Sequence, residues 1–206
     1  MNAAAARSGS GARAPGFVLV IDGPSGVGVS TTLSGLQEAW PRVRPGPLLD
    51  AGIDHTFAGF GPELTRWWDL IEAPESTGDV GAHWGPLGRE LIRTMPRVAA
   101  MWAHAGWDVG IDHVLRDRPT ATELREAVAD LPHLHVGLTC HPDVLEDRVR
   151  GSGPPEAAEL RASKSLAELA VFGSVAQRHL VLDTTEMATD ELVAEILAEV
   201  EARLRG

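Results

Sequence analysis

Lysine is almost absent from this chain: Lys164 stands alone against 17 arginines in 206 residues. GC-rich coding, which trades lysine for arginine, accounts for that imbalance. Cysteine is as scarce. Cys140 is the only one, so no intrachain disulfide can form, and the chain suits a reducing cytoplasm. No run of about 18 or more apolar residues occurs, which leaves no segment fit to span a membrane. Positive charge is outweighed, with 29 acidic residues against 18 basic ones and a net charge of −11. That balance argues against nucleic acid or an anionic membrane as the main partner. A compact basic site for a phosphate remains compatible with it.

What is present describes an ordinary globular domain. Hydrophobic residues make up 44% and charged residues 23% of the chain, enough to bury a full core. The first sixteen residues, MNAAAARSGSGARAPG, are small and lack an apolar h-region. They read as a disordered tail, not a signal peptide, and leave 17–206 as one domain.

GFVLVIDG (16–23) is a β-branched apolar run that leads straight into a glycine loop, the pattern of a buried parallel strand feeding a helix. A helix over about 30–40 follows, ended by Pro41, and 41–50 reads as irregular. Further strands are expected at 51–56, 107–115, 133–139 and 179–185. Helices are expected at 86–105, from Thr120 to about 129, at 142–150, 156–172 and 189–204. The Thr120 helix carries capping-box spacing with Glu123. Strands alternating with helices predict a mostly parallel α/β sheet with ligands at the strand C-termini.

The chemistry concentrates in GPSGVGVST, residues 23–31. The phosphate-cradling loop reads G-x-x-x-x-G-K-[ST]. Gly23, Gly28 and Ser30 stand where that pattern wants them, with Pro24, Ser25, Gly26 and Val27 between and Thr31 after. The lysine position is Val29, although coding bias would have supplied arginine. A glycine turn before a helix still aims backbone N–H groups at an anion, and Ser30 or Thr31 can offer a hydroxyl to Mg²⁺. The ammonium that bridges the β- and γ-phosphates is gone. A glycine turn kept for packing alone has the same sequence.

Asp54 in GIDHT lies just past a strand, where a base for an acceptor hydroxyl can sit; a turn or cap role is equally open. Asp112 in VGIDH ends another apolar strand, the placement of a carboxylate that holds Mg²⁺ together with Ser30. Asp22 and Asp183, at similar places, read as structural. His55 and His113 each follow one of the candidate site acids, and Trp67, Trp68 and Trp84 can wall an acceptor pocket or belong to the core.

Together these pieces resemble the chloramphenicol phosphotransferase family of P-loop kinases, from about Gly16 to Val200. The resemblance rests on VLVIDGPSGVGVST, GIDHT, GPLGRELIRTMPRVAAMWAHAGWDVGIDHVL, HVGLTCHPDVLEDRVRG and VLDTT in that order. It implies a three-layer, adenylate-kinase-like fold with about five parallel strands and a short helical lid near 148–164. It also implies ATP and Mg²⁺ as cofactors, Asp54 as general base, Asp112 beside the phosphates, and Arg148 as the first lid arginine. The departures lie in phosphate handling. Val29 replaces the family's lysine, and only Arg150 follows Arg148 before Arg161, with Arg161 and Lys164 as candidate replacements.

Three functions stay open on the sequence. One is an ATP-dependent O-phosphotransferase acting on a small natural product or antibiotic. A second is acid–base chemistry, such as elimination, isomerisation or cyclisation, on such a metabolite without nucleotide. The third is a non-catalytic metabolite-binding protein. A homo-oligomer is compatible with each.

Overall fold

A computed structural model of the chain describes residues 13–52, 55, 71–72, 83–84, 86–153 and 155–205. The expected tail at 1–12, together with Asp54, Trp67 and Trp68, lies outside the described residues. Trp84 falls in a described strand whose side chains are not described.

The first strand, β1 (Val18–Asp22), is buried along its whole length, because side chains on both of its faces meet helices. Helix α1 (Val29–Ala39) follows directly. Gly28 caps it at φ +108°, a left-handed conformation open to glycine at little cost. Pro41 does not end the run at once: Trp40–Arg42 tighten into a 3₁₀ turn. The second strand, β2 (Leu48–Asp50), is a correction to the sequence reading, which placed it at 51–56. Leu48, Leu49 and Asp50 pair with a neighbouring strand, and Asp50 Oδ1 then accepts from the Gly52 N–H at 2.7 Å and turns the chain out of the sheet.

A small antiparallel pair, β3 (Ile71–Glu72) and β4 (His83–Trp84), precedes the long helix α2 (Pro86–His104). Next come β5 (Asp108–His113), α3 (Arg118–Ala127), β6 (His133–Thr139) and α4 (Pro142–Arg150). A 3₁₀ turn at Pro155–Ala157 leads into α5 (Ala158–Val175), which begins and ends later than the expected 156–172. Strand β7 (Leu180–Asp183) and α6 (Thr189–Arg205) close the chain. The expected capping box at Thr120 is a second correction. Asp117 caps α3 by accepting from the Thr120 N–H, while Glu123 is taken by Arg93 in a forked pair of 2.6–2.9 Å.

The main sheet has five parallel strands in the order β2-β5-β1-β6-β7. Alternation along the strands divides the core into two layers. Leu19 and Ile21 of β1, with Leu134, Val136 and Leu138 of β6, face α1, α4 and α6. Val18, Val20, Val109 and Ile111 face α2 and α3. Helices therefore cover both faces, and the C-terminal ends of β1, β5 and β2 converge where α1 begins. Ahead of β1, Arg13 lies over the Trp107 ring at 5.0 Å and the Gly16 N–H donates to Ala103 O at 2.8 Å, so 13–16, expected as tail, lie against the domain. No described helix is long and apolar enough to cross a membrane.

Candidate functional site

Two phosphate-type elements meet at the end of β1. The loop 23–28 turns the chain into α1, whose first N–H groups have no intrahelical acceptor. Among the described residues, no protein acceptor meets the N–H groups of Gly26, Gly28, Val29, Ser30 or Thr31. Gly26, Ser30 and Thr31 are exposed, whereas Gly23, Pro24 and Val27 are buried. This is the geometry of an anion cradle at a helix N-terminus.

The Ser30 hydroxyl donates to Asp112 Oδ2 at 2.6 Å. Asp112 reaches it because alternation on β5 turns Gly110 and Asp112 toward α1, while Val109, Ile111 and His113 turn the other way. A side chain on Gly52 would come within 2.9 Å of both the Asp112 and Asp50 side chains, so glycine there keeps these strand ends close. Two hard oxygen donors side by side, beside exposed loop N–H groups, form a donor set that fits Mg²⁺ and a nucleotide's phosphates.

Val29, at the lysine position, is 7% exposed and packs into the layer formed with α6 and β6. It presents no polar atom to the loop.

The candidate cations have different surroundings. Arg148 donates to the Thr184 hydroxyl at 2.9 Å and to the Thr184 carbonyl at 2.7 Å, and that hydroxyl donates in turn to Val27 O at 3.2 Å. The Arg148 side chain thereby braces the loop from behind. Arg150 is held by Glu146 and Glu159, and Arg161 donates to Ser152 O. Lys164 differs: its ammonium lies 3.8 Å from Glu168 Oε1, and Glu168 Oε2 accepts from the Ser25 N–H at 2.8 Å. Arg148 and Lys164 thus each share a partner with the loop, Thr184 behind Val27 and Glu168 at Ser25.

On the other layer, His113 is 1% exposed and turned away from Asp112. It lies on the opposite face of β5 from the Ser30–Asp112 pair. His55 does border a cavity of about 100 Å³, shared with Asp50, Ala51, Leu91, Thr94, Met95, Val98 and Trp102. That cavity lies beside the end of β2 and is walled mainly by α2. Asp22 is structural: it takes both Arg178 (2.5 and 2.7 Å) and His135 (3.0 Å). Burial alone would raise the Asp22 pKa, but these two partners hold it below the usual carboxylate value.

Two residues at the loop escaped the sequence reading. Arg116 donates through Nε to Glu168 Oε1 at 2.9 Å, and its Nη2 lies 2.6 Å from the same oxygen. Arg116 lies four residues past Asp112 and Glu168 one helical turn past Lys164; that second spacing was a readable signal, but nothing in it pointed to Ser25.

Comparisons with known proteins show the family and the fold. The model of the chloramphenicol phosphotransferase-like protein family matches residues 16–201. The ribose 1,5-bisphosphate phosphokinase PhnN of Ruegeria sp. (strain TM1040) is 27% identical over 194 residues, covering 91% of this chain and 94% of the relative. Among solved structures, a gluconokinase from Sinorhizobium meliloti 1021 superposes with a TM-score of 0.58 at 22% identity, covering 93% of this chain and 94% of its own. The Mycobacterium tuberculosis APS kinase in complex with AMPPNP and APS gives a TM-score of 0.55 at 17% identity, covering 94% and 99%. The sheet order, the helices on both faces and the loop opening α1 are those of a three-layer P-loop kinase fold. With a family model spanning all but the ends of the chain, this protein belongs to the chloramphenicol phosphotransferase-like family.

Proposed function

We propose that this protein is an ATP-dependent O-phosphotransferase that acts on a hydroxyl of a small natural product. The observation that carries this reading is the Ser30–Asp112 pair, 2.6 Å apart at the mouth of a loop with open N–H groups. Ser30 and Asp112 would hold Mg²⁺, and the N–H groups of 26–31 would receive the phosphates. When bound, Mg²⁺ and nucleotide supply the activated phosphoryl group and neutralise its charge. The acceptor enters beside β2, where Leu91, Met95, Val98 and Trp102 exclude water from an organic body and His55 adds a polar edge. Asp54, one residue before His55, takes the proton from the acceptor hydroxyl. The family's description and the APS kinase held with AMPPNP support a nucleotide; PhnN, named for a ribose bisphosphate, shows how widely acceptors differ among relatives.

A second reading is acid–base chemistry on the same acceptor without nucleotide. It is favoured by one observation, the burial of apolar Val29 where the loop cation is expected.

Calorimetric titration with Mg²⁺ and a non-hydrolysable ATP analogue separates the two. Micromolar binding by the wild type, weakened about tenfold or more in Ser30→Ala and Asp112→Asn, is expected for the phosphotransferase. Turnover in those variants falls by roughly 10²–10³ if each removes one preorganised charge-stabilising contact. No binding by the wild type, with binding created by Val29→Lys, overturns the reading and favours nucleotide-free chemistry.

A further inference from the structure

A buried carboxylate on a phosphate loop runs against the chemistry of that loop. Glu168, on α5, is 6% exposed and accepts from the Ser25 N–H at 2.8 Å. Its other oxygen accepts from Arg116 Nε at 2.9 Å, lies 2.6 Å from Arg116 Nη2, and faces Lys164 Nζ at 3.8 Å. A loop N–H, a guanidinium and an ammonium thus converge on one anion. That is the donor set with which proteins hold a phosphoryl group. The arrangement draws on three parts of the fold: the loop after β1, the residues after β5, and α5. Among the described residues, Arg116 and Lys164 bring two full positive charges close to the loop residue Ser25, in a chain whose Val29 brings none.

We propose that the Ser25 N–H, Arg116 and Lys164 form a phosphate site, and that Glu168 is an internal anion which the terminal phosphate of a bound nucleotide replaces. The proposal rests on the nucleotide-dependent reading above and deepens it by naming the source of the missing charge. The exchange breaks and makes only hydrogen bonds and ion pairs. A terminal phosphate carries more charge than a carboxylate and offers three oxygens, so it can engage all three donors at once. Glu168, released, rotates its side chain away from the loop, while α5 stays in place and keeps Lys164 at the site. Until then it keeps Arg116 and Lys164 gathered at the loop and blocks weaker anions.

Binding of inorganic tripolyphosphate and of the Mg²⁺–ATP analogue is measured calorimetrically on the full chain and on Glu168→Gln. Glutamine keeps an acceptor for the Ser25 N–H and removes the competing charge. Both ligands are expected to bind the variant about tenfold or more tightly, and Arg116→Gln and Lys164→Gln to bind them correspondingly more weakly. Unchanged or weaker binding by a folded Glu168→Gln overturns the proposal. The wild type supplies a second measurement, the amide resonance of Ser25 during tripolyphosphate titration. That signal is expected to move; binding that leaves it in place overturns the proposal even if the variant does not fold. If the analogue binds equally to wild type and variant, the phosphate site falls while the nucleotide reading stands. If tripolyphosphate binding tightens and no form binds nucleotide, the reading falls and the anion site stands.

Discussion

His113 shows what a single buried residue contributes beyond packing. It ends β5 beside Asp22 of β1, fully enclosed, and neither ring nitrogen makes a well-formed hydrogen bond among the described residues. Burial pushes its pKa below the usual 6.5, against the opposing pull of the Val114 main chain and the Asp22 charge. The ring is therefore neutral in the fold and readily protonated once unfolded. Between the unfolded value and the lower folded value, the unfolded state binds more protons, so stability falls as pH drops below about 6.5. His113→Leu removes both the titration and the unsatisfied nitrogens. It is expected to hold or raise stability at pH 7 by about 1 kcal/mol and to flatten the loss as pH falls below about 6.5. Urea unfolding at a series of pH values reads both effects; a variant with the wild-type slope excludes His113 as the source.

At the scale of elements, Arg178 ties the end of α5 to the strand that feeds the phosphate loop. Its guanidinium is 2% exposed, pairs with Asp22, donates to the Phe172 and Ala176 carbonyls, and lies 3.7 Å over the Phe172 ring. Gly137 on β6 leaves room for it, since a side chain there would collide with the Arg178 stem. Removing one partner strands Asp22 in the core, and losses of about 3–5 kcal/mol are typical for a buried pair. Arg178→Ala is expected to lose that much by chemical denaturation, while Asp22→Asn together with Arg178→Met recovers part of it. A loss under about 1 kcal/mol would show that the pair is not energetically coupled to the fold. Because α5 also carries Lys164 and Glu168, the same anchor fixes where the proposed phosphate donors stand.

For the whole molecule, net charge and pH act together. The chain carries −11, so repulsion among carboxylates is relieved by mild acid, yet two buried carboxylates oppose that relief. Burial alone would raise Asp22 and Asp108. Arg178 and His135 hold the first below its ordinary 3.8, and Arg44, the Phe17 N–H and Trp40 do the same for the second. A depressed folded value means stability that is complete above the unfolded pKa and lost as pH falls through the folded one. Two acid limbs are therefore expected: a shallow one below about pH 6.5 from His113 and a steeper one below about pH 4 from Asp22 and Asp108. A thermal-unfolding series from pH 8 to 2.5 checks this, and a single transition in Tm near pH 6 would contradict the second limb.

The sequence by itself determined the alternation of strands and helices, because apolar periodicity and glycine–proline punctuation act over a few residues. It also determined the loop at 23–31, since a strand's alternation and a helix's first turn are local geometry, while the contact of Ser30 with Asp112, 82 positions away, needed β1 and β5 side by side. Its errors were local competitions. Asp117 outbid Thr120 as the α3 cap once Arg93 had claimed Glu123, and β2 formed three residues early because its neighbour β5, distant in sequence, chose the register. Only the tertiary structure decided where charge goes. The seating of Arg148 on Thr184 and the meeting of Arg116 and Glu168 at Ser25 join residues from 36 to 143 positions apart. No periodicity encodes such contacts. They follow from five strands laid side by side, which bring loop, strand end and helix α5 to one point and let a buried carboxylate gather the cations that position 29 does not supply.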